Sequence, residues 1–194
     1  MIQPRSLVDP GRSIALISFA GAPATPLGDA GDLADAAALG AVLIAAEAVG
    51  AAERLLEMTV EYVAQRVQFG VVIGTFQAVK HAAADMLVDV ETARSAVHYA
   101  AWAFGAGRAD AIAAVNMAKS YAVPAAAAVA DRALALHGAV GFTWEHDLHL
   151  FLKRIHSAAA LFGGSAGHRE QLASSLDLTG ASRAPVAEVA SSAT

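Results

Sequence analysis

The sequence predicts an all-α protein, an antiparallel helical bundle with a short N-terminal β remnant. Three observations carry this reading. Apolar residues recur at three- to five-residue intervals through three long segments. The connections between those segments are brief and contain glycine. Alanine is so frequent that helix axes can approach closely, which favours a tight core.

The elements follow in chain order. "SIALISF" (13–19), opened by the turn "DPG", reads as a β-strand. Arg5 and Arg12 ahead of it imitate a secretory signal, but Asp9 and Pro10 interrupt what would be a purely basic and apolar stretch. "AGAPATPLGDAGD" (20–32) has no periodicity and reads as a loop. The first helix begins near Leu33 and runs to about Gln65, with Leu39, Leu43, Ala46, Gly50, Leu55, Met58 and Tyr62 as its apolar stripe. A second spans about Phe76 to Phe104, its apolar face formed by Met86, Val90, Ala93, Val97, Ala100 and Phe104.

A third helix covers about Ala109 to Leu136, and Pro124 within it is expected to leave a bend, because its ring removes one donor and crowds the preceding turn. "HGAVGF" breaks the chain. Thr143 is the expected cap of a helix over 144–162, "GGSAG" ends that helix, and "HREQLASSL" forms a short last one. The small, polar stretch beyond Asp177 is expected to be disordered. The predicted divisions are therefore 1–32 as β remnant and linker, 33–176 as helical bundle and 177–194 as tail.

Composition narrows the function. The 194 residues suffice for one domain with a sizeable core. With no cysteine there is neither a disulfide framework nor a thiolate ligand, and a cytoplasmic setting is expected. A formal charge of -5 without a basic run argues against nucleic acid. Hydrophobic residues make up 56%, yet the longest apolar run, "AAALGAVLIAA" (36–46), is closed by Glu47 and is too short to span a bilayer. So apolar a chain with little charge is expected to cover its surfaces in an oligomer.

Three interruptions stand out from the alanine background: "RVQFG" (66–70), "LHGAVGFTWEHD" (136–147) and "LFGGSAGHRE" (161–170). Each sets glycine beside polar or aromatic residues at a helix junction. Free backbone N–H groups at such junctions, with the helix dipole and an arginine nearby, suit a phosphate-bearing ligand. Glycine turns on their own mostly only turn the chain.

Taken in order, "AAEAVGAAERLLEMTVEYVAQRVQFG", "FQAVKHAAADM", "ARSAVHYAAW" and "HGAVGFTWEHDLHLFLKR" resemble the C-terminal helical domain of the acyl-CoA dehydrogenases, over roughly Leu39 to Leu172. The stretch "LVDPGRSIALISFAGAPATPLG" looks like the tail of that family's middle β-domain. The resemblance implies an FAD-dependent α,β-desaturation of an acyl-CoA thioester. It implies that Arg66, Gln68, Phe69, Gly70 and Gln77 reach the FAD of a partner subunit, with Gly138 and Gly141 as the second glycine turn. His137, from its place beside that turn, is a candidate donor toward flavin or substrate. A guanidinium pairs with pyrophosphate oxygens in a fork, and glycine lets backbone donors come close.

The chain departs from the family where the chemistry is most demanding. The reaction needs a carboxylate base, and its two family positions are occupied here by Phe162 and Gly40. Ala135 stands where the family has a flavin-contacting glutamine, and Ala139 replaces the second of the paired glycines. Three readings stay open: a subunit that needs a full-length partner in a homo- or hetero-oligomer, a catalytically inactive structural or oligomerisation subunit without flavin, and an unrelated metal-binding bundle. For the last, His146, Asp147, His149, His81 and Asp85 are the candidates, but the paired Glu-x-x-His motifs of a di-iron bundle are missing and no metal is expected.

Overall fold

The computed structural model describes residues 1–176. It is an all-α bundle with small β additions, as the periodicity implies. β1 (Ile2–Arg5) and β2 (Ile14–Ile17) form an antiparallel hairpin in which Ile2 faces Ile17 and Arg5 faces Ile14. Five helices follow: α1 (Ala30–Val63), α2 (Gln77–Gly105), α3 (Ala111–His137), α4 (Leu148–Ala158) and α5 (Ser165–Ser175). Between α1 and α2 lies a small hairpin, β3 (Val67–Gln68) and β4 (Val71–Val72), that the helical periodicity did not announce.

Helix α1 starts earlier than Leu33 because Asp29 caps it. Its carboxylate accepts from the backbone of Gly31 and Asp32, while Asp32 reaches back to the Asp29 N–H in a reciprocal capping box. Thr143 does not cap α4. Its hydroxyl instead donates to Val140 O, closing a 3-10 turn over Gly138–Phe142, and α4 begins only after Asp147. That helix is also shorter than expected, ending at Ala158. Helix α3 runs unbroken through Pro124.

The core has two parts. Ala41, Ala45, Ala93, Ala100, Ala114 and Ala118 let α1, α2 and α3 close tightly at one end. Larger side chains, Leu55, Met86, Val129, Leu148 and Ile155, fill the end where α4 joins. The face assigned to α2 is the buried one. The stripe assigned to α1 is buried only toward its end: Leu55 is inside, but Leu39 and Leu43 are 46% and 60% exposed and Ala46 and Gly50 face outward. The residues that face the core there are Ala41, Val42, Ile44, Ala45, Ala48, Val49 and Ala52, and the alanines among them let the neighbouring helices come close. Helices α1 and α3 are long and apolar enough to cross a membrane by length and composition, and both contribute residues to this core.

The N-terminal hairpin is fixed to the bundle by ions. Asp9, only 2% exposed, accepts from the Gly11 N–H (2.9 Å) and from Ser157 Oγ (3.2 Å), and pairs with Arg154 Nε at 2.8 Å. Arg154 and Arg12 both also engage Glu47 on α1.

Candidate functional site

The first glycine junction is built from the end of α1. The backbone N–H groups of Gln65 and Arg66 both donate to Tyr62 O, at 3.1 and 2.9 Å, turning the chain out of the helix. The Ile73 N–H returns to Arg66 O (2.8 Å) and closes the hairpin. Gly74 is required there, since a Cβ on it would lie 2.8 Å from Val63 O.

At the hairpin tip, Phe69 and Gly70 have φ of +53° and +78°, the two successive positive values of a type I′ turn. Glycine takes this conformation freely, whereas a phenylalanine pays roughly 1–2 kcal/mol for it. Phe69 is 91% exposed, and its ring makes a T-shaped pair with Phe76 at 6.3 Å between centroids. Behind it begins α2, with no side chain capping its N-terminus, so its first N–H groups and positive dipole end are open beside Gln77. Gln77 itself is exposed, its amide 3.5 Å from His81 Nε2. Arg12, Arg54, Arg94, Arg108, Arg132 and Arg154 each hold a carboxylate. Arg66 is exposed and, like Arg5 and Arg169, holds none among the described residues. The exposed guanidinium and the uncapped helix N-terminus offer cationic and N–H groups to an anion, and the outward phenylalanine offers an apolar face to a flat ring.

The second glycine junction comes to the same end of the bundle. His137 closes α3 and stacks on Tyr62, with ring centroids 4.5 Å apart and planes at 20°. It is 2% exposed, its Nδ1 donates to Ala133 O (2.8 Å), and burial holds its pKa below the ordinary histidine value. Gly138 has φ +61° and is exposed; Gly141 is buried, and a Cβ on it would press against Leu134 and His137. The structure thus brings the two junctions together, with Gly138 outside and His137 and Gly141 beneath.

The two positions where the resemblance would place a base are neighbours. A Cβ built on Gly40 would sit 2.3 Å from Cε1 of Phe162, so the ring lies directly on the glycine. Phe162 adopts φ +53°, and its carbonyl accepts from His168 Nε2 (2.9 Å). His168 Nδ1 is 2.7 Å from the side-chain oxygen of Asn116, and both of these residues are buried. This His168–Asn116 pair escaped the sequence reading. Its signal was Asn116, Lys119 and Ser120 at helical spacing within an alanine helix, all three buried. Phe162 borders a cleft of about 430 Å³ lined by Ala34, Ala38, Ile112, Val115 and His168. Lys119, 1% exposed, donates to Ala158 O (2.8 Å) and holds the end of α4 from which this loop departs; desolvation lowers its pKa.

The histidines considered for metal serve local packing: His146 meets the His137 ring edge-on at 4.8 Å, and His149 contacts His146 O and Trp144. Among the described residues no three groups of ligand type converge.

Comparison with known proteins assigns the family. The profile described as "Acyl-CoA dehydrogenase, C-terminal domain" matches residues 34–176. The chain is 45% identical over 175 residues to acyl-CoA dehydrogenase IpdE2 of Mycolicibacterium smegmatis, covering 88% of this chain and 50% of that protein. To acyl-CoA dehydrogenase FadE34 of Mycobacterium tuberculosis it is 37% identical over 166 residues, covering 85% of this chain and 23% of the relative. Among solved structures, the ChsE4-ChsE5 complex of Mycobacterium tuberculosis matches with TM-score 0.84 at 27% identity, over 92% of this chain and 49% of that one. A Tcur3481-Tcur3483 steroid ACAD variant matches with TM-score 0.84 at 26% identity, over 94% and 50%. The chain spans half the length, or less, of these curated relatives. With the profile covering most of its length and the fold in agreement, this chain belongs to the acyl-CoA dehydrogenase family and carries its C-terminal helical domain.

Proposed function

We propose that the chain is a subunit of an FAD-dependent acyl-CoA dehydrogenase that works only with a partner subunit, and that its Arg66 hairpin contacts the partner's flavin. The observation that carries this is the hairpin tip. There a 91% exposed Phe69 in a left-handed conformation, an Arg66 that holds no carboxylate among the described residues and a helix N-terminus without a side-chain cap follow one another on the protein's outside. Arg66 would pair with pyrophosphate oxygens, the first N–H groups of α2 and the Gln77 amide would add donors, and Phe69 would lie against an apolar or aromatic surface.

In the inferred reaction a base removes the α-proton of the thioester while hydride leaves the β-carbon. FAD, when bound, supplies the hydride acceptor. This chain offers no carboxylate at either expected position, Phe162 resting on Gly40 instead, so the base belongs to the partner. The outward stripe Leu39, Leu43, Ala46 and Gly50 is apolar surface that such a partner would cover. Two structural neighbours carry paired names, the ChsE4-ChsE5 complex and the Tcur3481-Tcur3483 steroid ACAD, which supports a two-component assembly. The second of these names makes a steroid-derived acyl group the first substrate to try.

The missing carboxylates also favour a second reading, an inactive subunit that completes an oligomer without flavin. The purified chain supplied with FAD and an acyl-CoA should give no dye-linked oxidation. Isolated with its native partner, it should carry oxidised-flavin absorbance and activity. Turnover by the chain alone would overturn the partner requirement, and a colourless native complex would favour the inactive reading.

A further inference from the structure

His137 sits directly before the second glycine turn, yet nothing outside the protein can reach it. The ring is 2% exposed, flanked by Tyr62 on its face and His146 at its edge. A backbone carbonyl only accepts, so the 2.8 Å contact with Ala133 O makes Nδ1 the protonated nitrogen. The other nitrogen, Nε2, is then a lone-pair acceptor, enclosed and without a partner among the described residues. An imidazole held this way cannot touch a ligand, so any influence it has on the outer edge passes through its neighbours.

The neighbour that matters is Tyr62. Its carbonyl accepts the N–H groups of both Gln65 and Arg66, the bonds that set where the hairpin leaves α1. We infer that His137 is a positioning residue: stacked on Tyr62, it locks the second glycine turn to the Arg66 hairpin so that the two halves of the edge keep one geometry. The purpose of this lock rests on the flavin reading above; its existence does not.

Amide hydrogen exchange on the full chain tests it, with His137→Ala and His137→Phe compared. Phenylalanine keeps a flat ring against Tyr62 and removes the unpartnered nitrogen. His137→Ala should speed exchange at Gln65 and Arg66 by about tenfold, the effect of losing one stacked pair, while Met86–Ala100 in α2 stays as protected as before. His137→Phe should bring the two amides back to within about threefold of wild type. Should the alanine variant fail to fold, Tyr62→Leu removes the other ring and must loosen the same two amides. Unchanged protection in the alanine or leucine variant, or equal loosening in the alanine and phenylalanine variants, overturns the inference. FAD affinity of the partner-containing complex is read separately. Loosened amides with unaltered affinity would uphold the lock and count against the flavin role of the hairpin.

Discussion

Replacing Gly40 by alanine makes a sharp test of the contact between the two expected base positions. In the middle of α1, Gly→Ala on its own should stabilise by about 1 kcal/mol, since alanine restricts the unfolded chain and suits a helix. Here the new Cβ would lie 2.3 Å from the Phe162 ring, whereas ordinary contact begins near 3.4 Å, so the ring must retreat by 3.4 − 2.3, or about 1 Å. Phe162 cannot easily give way, because its left-handed backbone is fixed by the buried His168. Overpacking of this kind costs roughly 1–3 kcal/mol. The net effect in the wild type is therefore between neutral and about 2 kcal/mol destabilising. In a Phe162→Gly background the obstacle is gone and the full gain of about 1 kcal/mol should appear. Urea unfolding of the four proteins, followed by far-ultraviolet circular dichroism, gives the coupling energy directly, expected at about 1–3 kcal/mol. If Gly40→Ala stabilises both backgrounds equally, the ring does not rest on Gly40 and the account of the missing base loses its structural footing.

Three further outcomes are expected. Burial lowers the His137 pKa below 6.5, so the folded protein binds fewer protons than the unfolded one just below that pH; stability is full above it and declines as pH falls toward the folded value. Unfolding curves between pH 5 and 7 should lose this component in His137→Phe. Asp9→Ala removes the acceptor shared by Arg154, Ser157 and the Gly11 amide, and should cost about 2–3 kcal/mol at the clamp, seen as early proteolysis of residues 1–20 while α2 and α3 stay protected. Phe69→Gly relieves the left-handed strain and should stabilise the isolated chain by about 1 kcal/mol in thermal unfolding, while weakening FAD binding by the assembled protein.

The helical body was legible because periodicity is a local property. The buried face of α2 was readable residue by residue, since Met86, Val90, Ala93, Val97 and Ala100 had to lie together whatever they packed on. For α1 the same reasoning put Leu39, Leu43, Ala46 and Gly50 in line with Leu55, whereas the structure turns the neighbouring stripe of Ala41, Ile44, Ala45, Ala48 and Ala52 inward with Leu55. Periodicity identifies a stripe without saying whether the chain itself or another body covers it. Asp29 was readable in principle as a capping box with Asp32, but a loop rich in small residues hid it. The hairpin at Phe69 was not readable, because a phenylalanine rather than asparagine takes the left-handed position. Arg66, Gln68 and Gln77 stood out as chemistry, but their common exposure around the hairpin, where the Gln68 side chain bonds only back to Val67 O among the described residues, required the turn geometry. The buried sets, His168 with Asn116 and Asp9 with Arg154, join residues 52 and 145 positions apart, and no local pattern encodes such pairings.

The central claim is that the Arg66 edge holds a nucleotide belonging to a neighbouring subunit. The measurement that reaches it most directly is the FAD dissociation constant of the native complex, by flavin fluorescence, for wild type and for Arg66→Ala of this chain. A lost bidentate charge-assisted pair should weaken FAD by about 10- to 100-fold with no change in the chain's own unfolding midpoint. Equal affinity in the two complexes, or a native complex that binds no FAD, would contradict it.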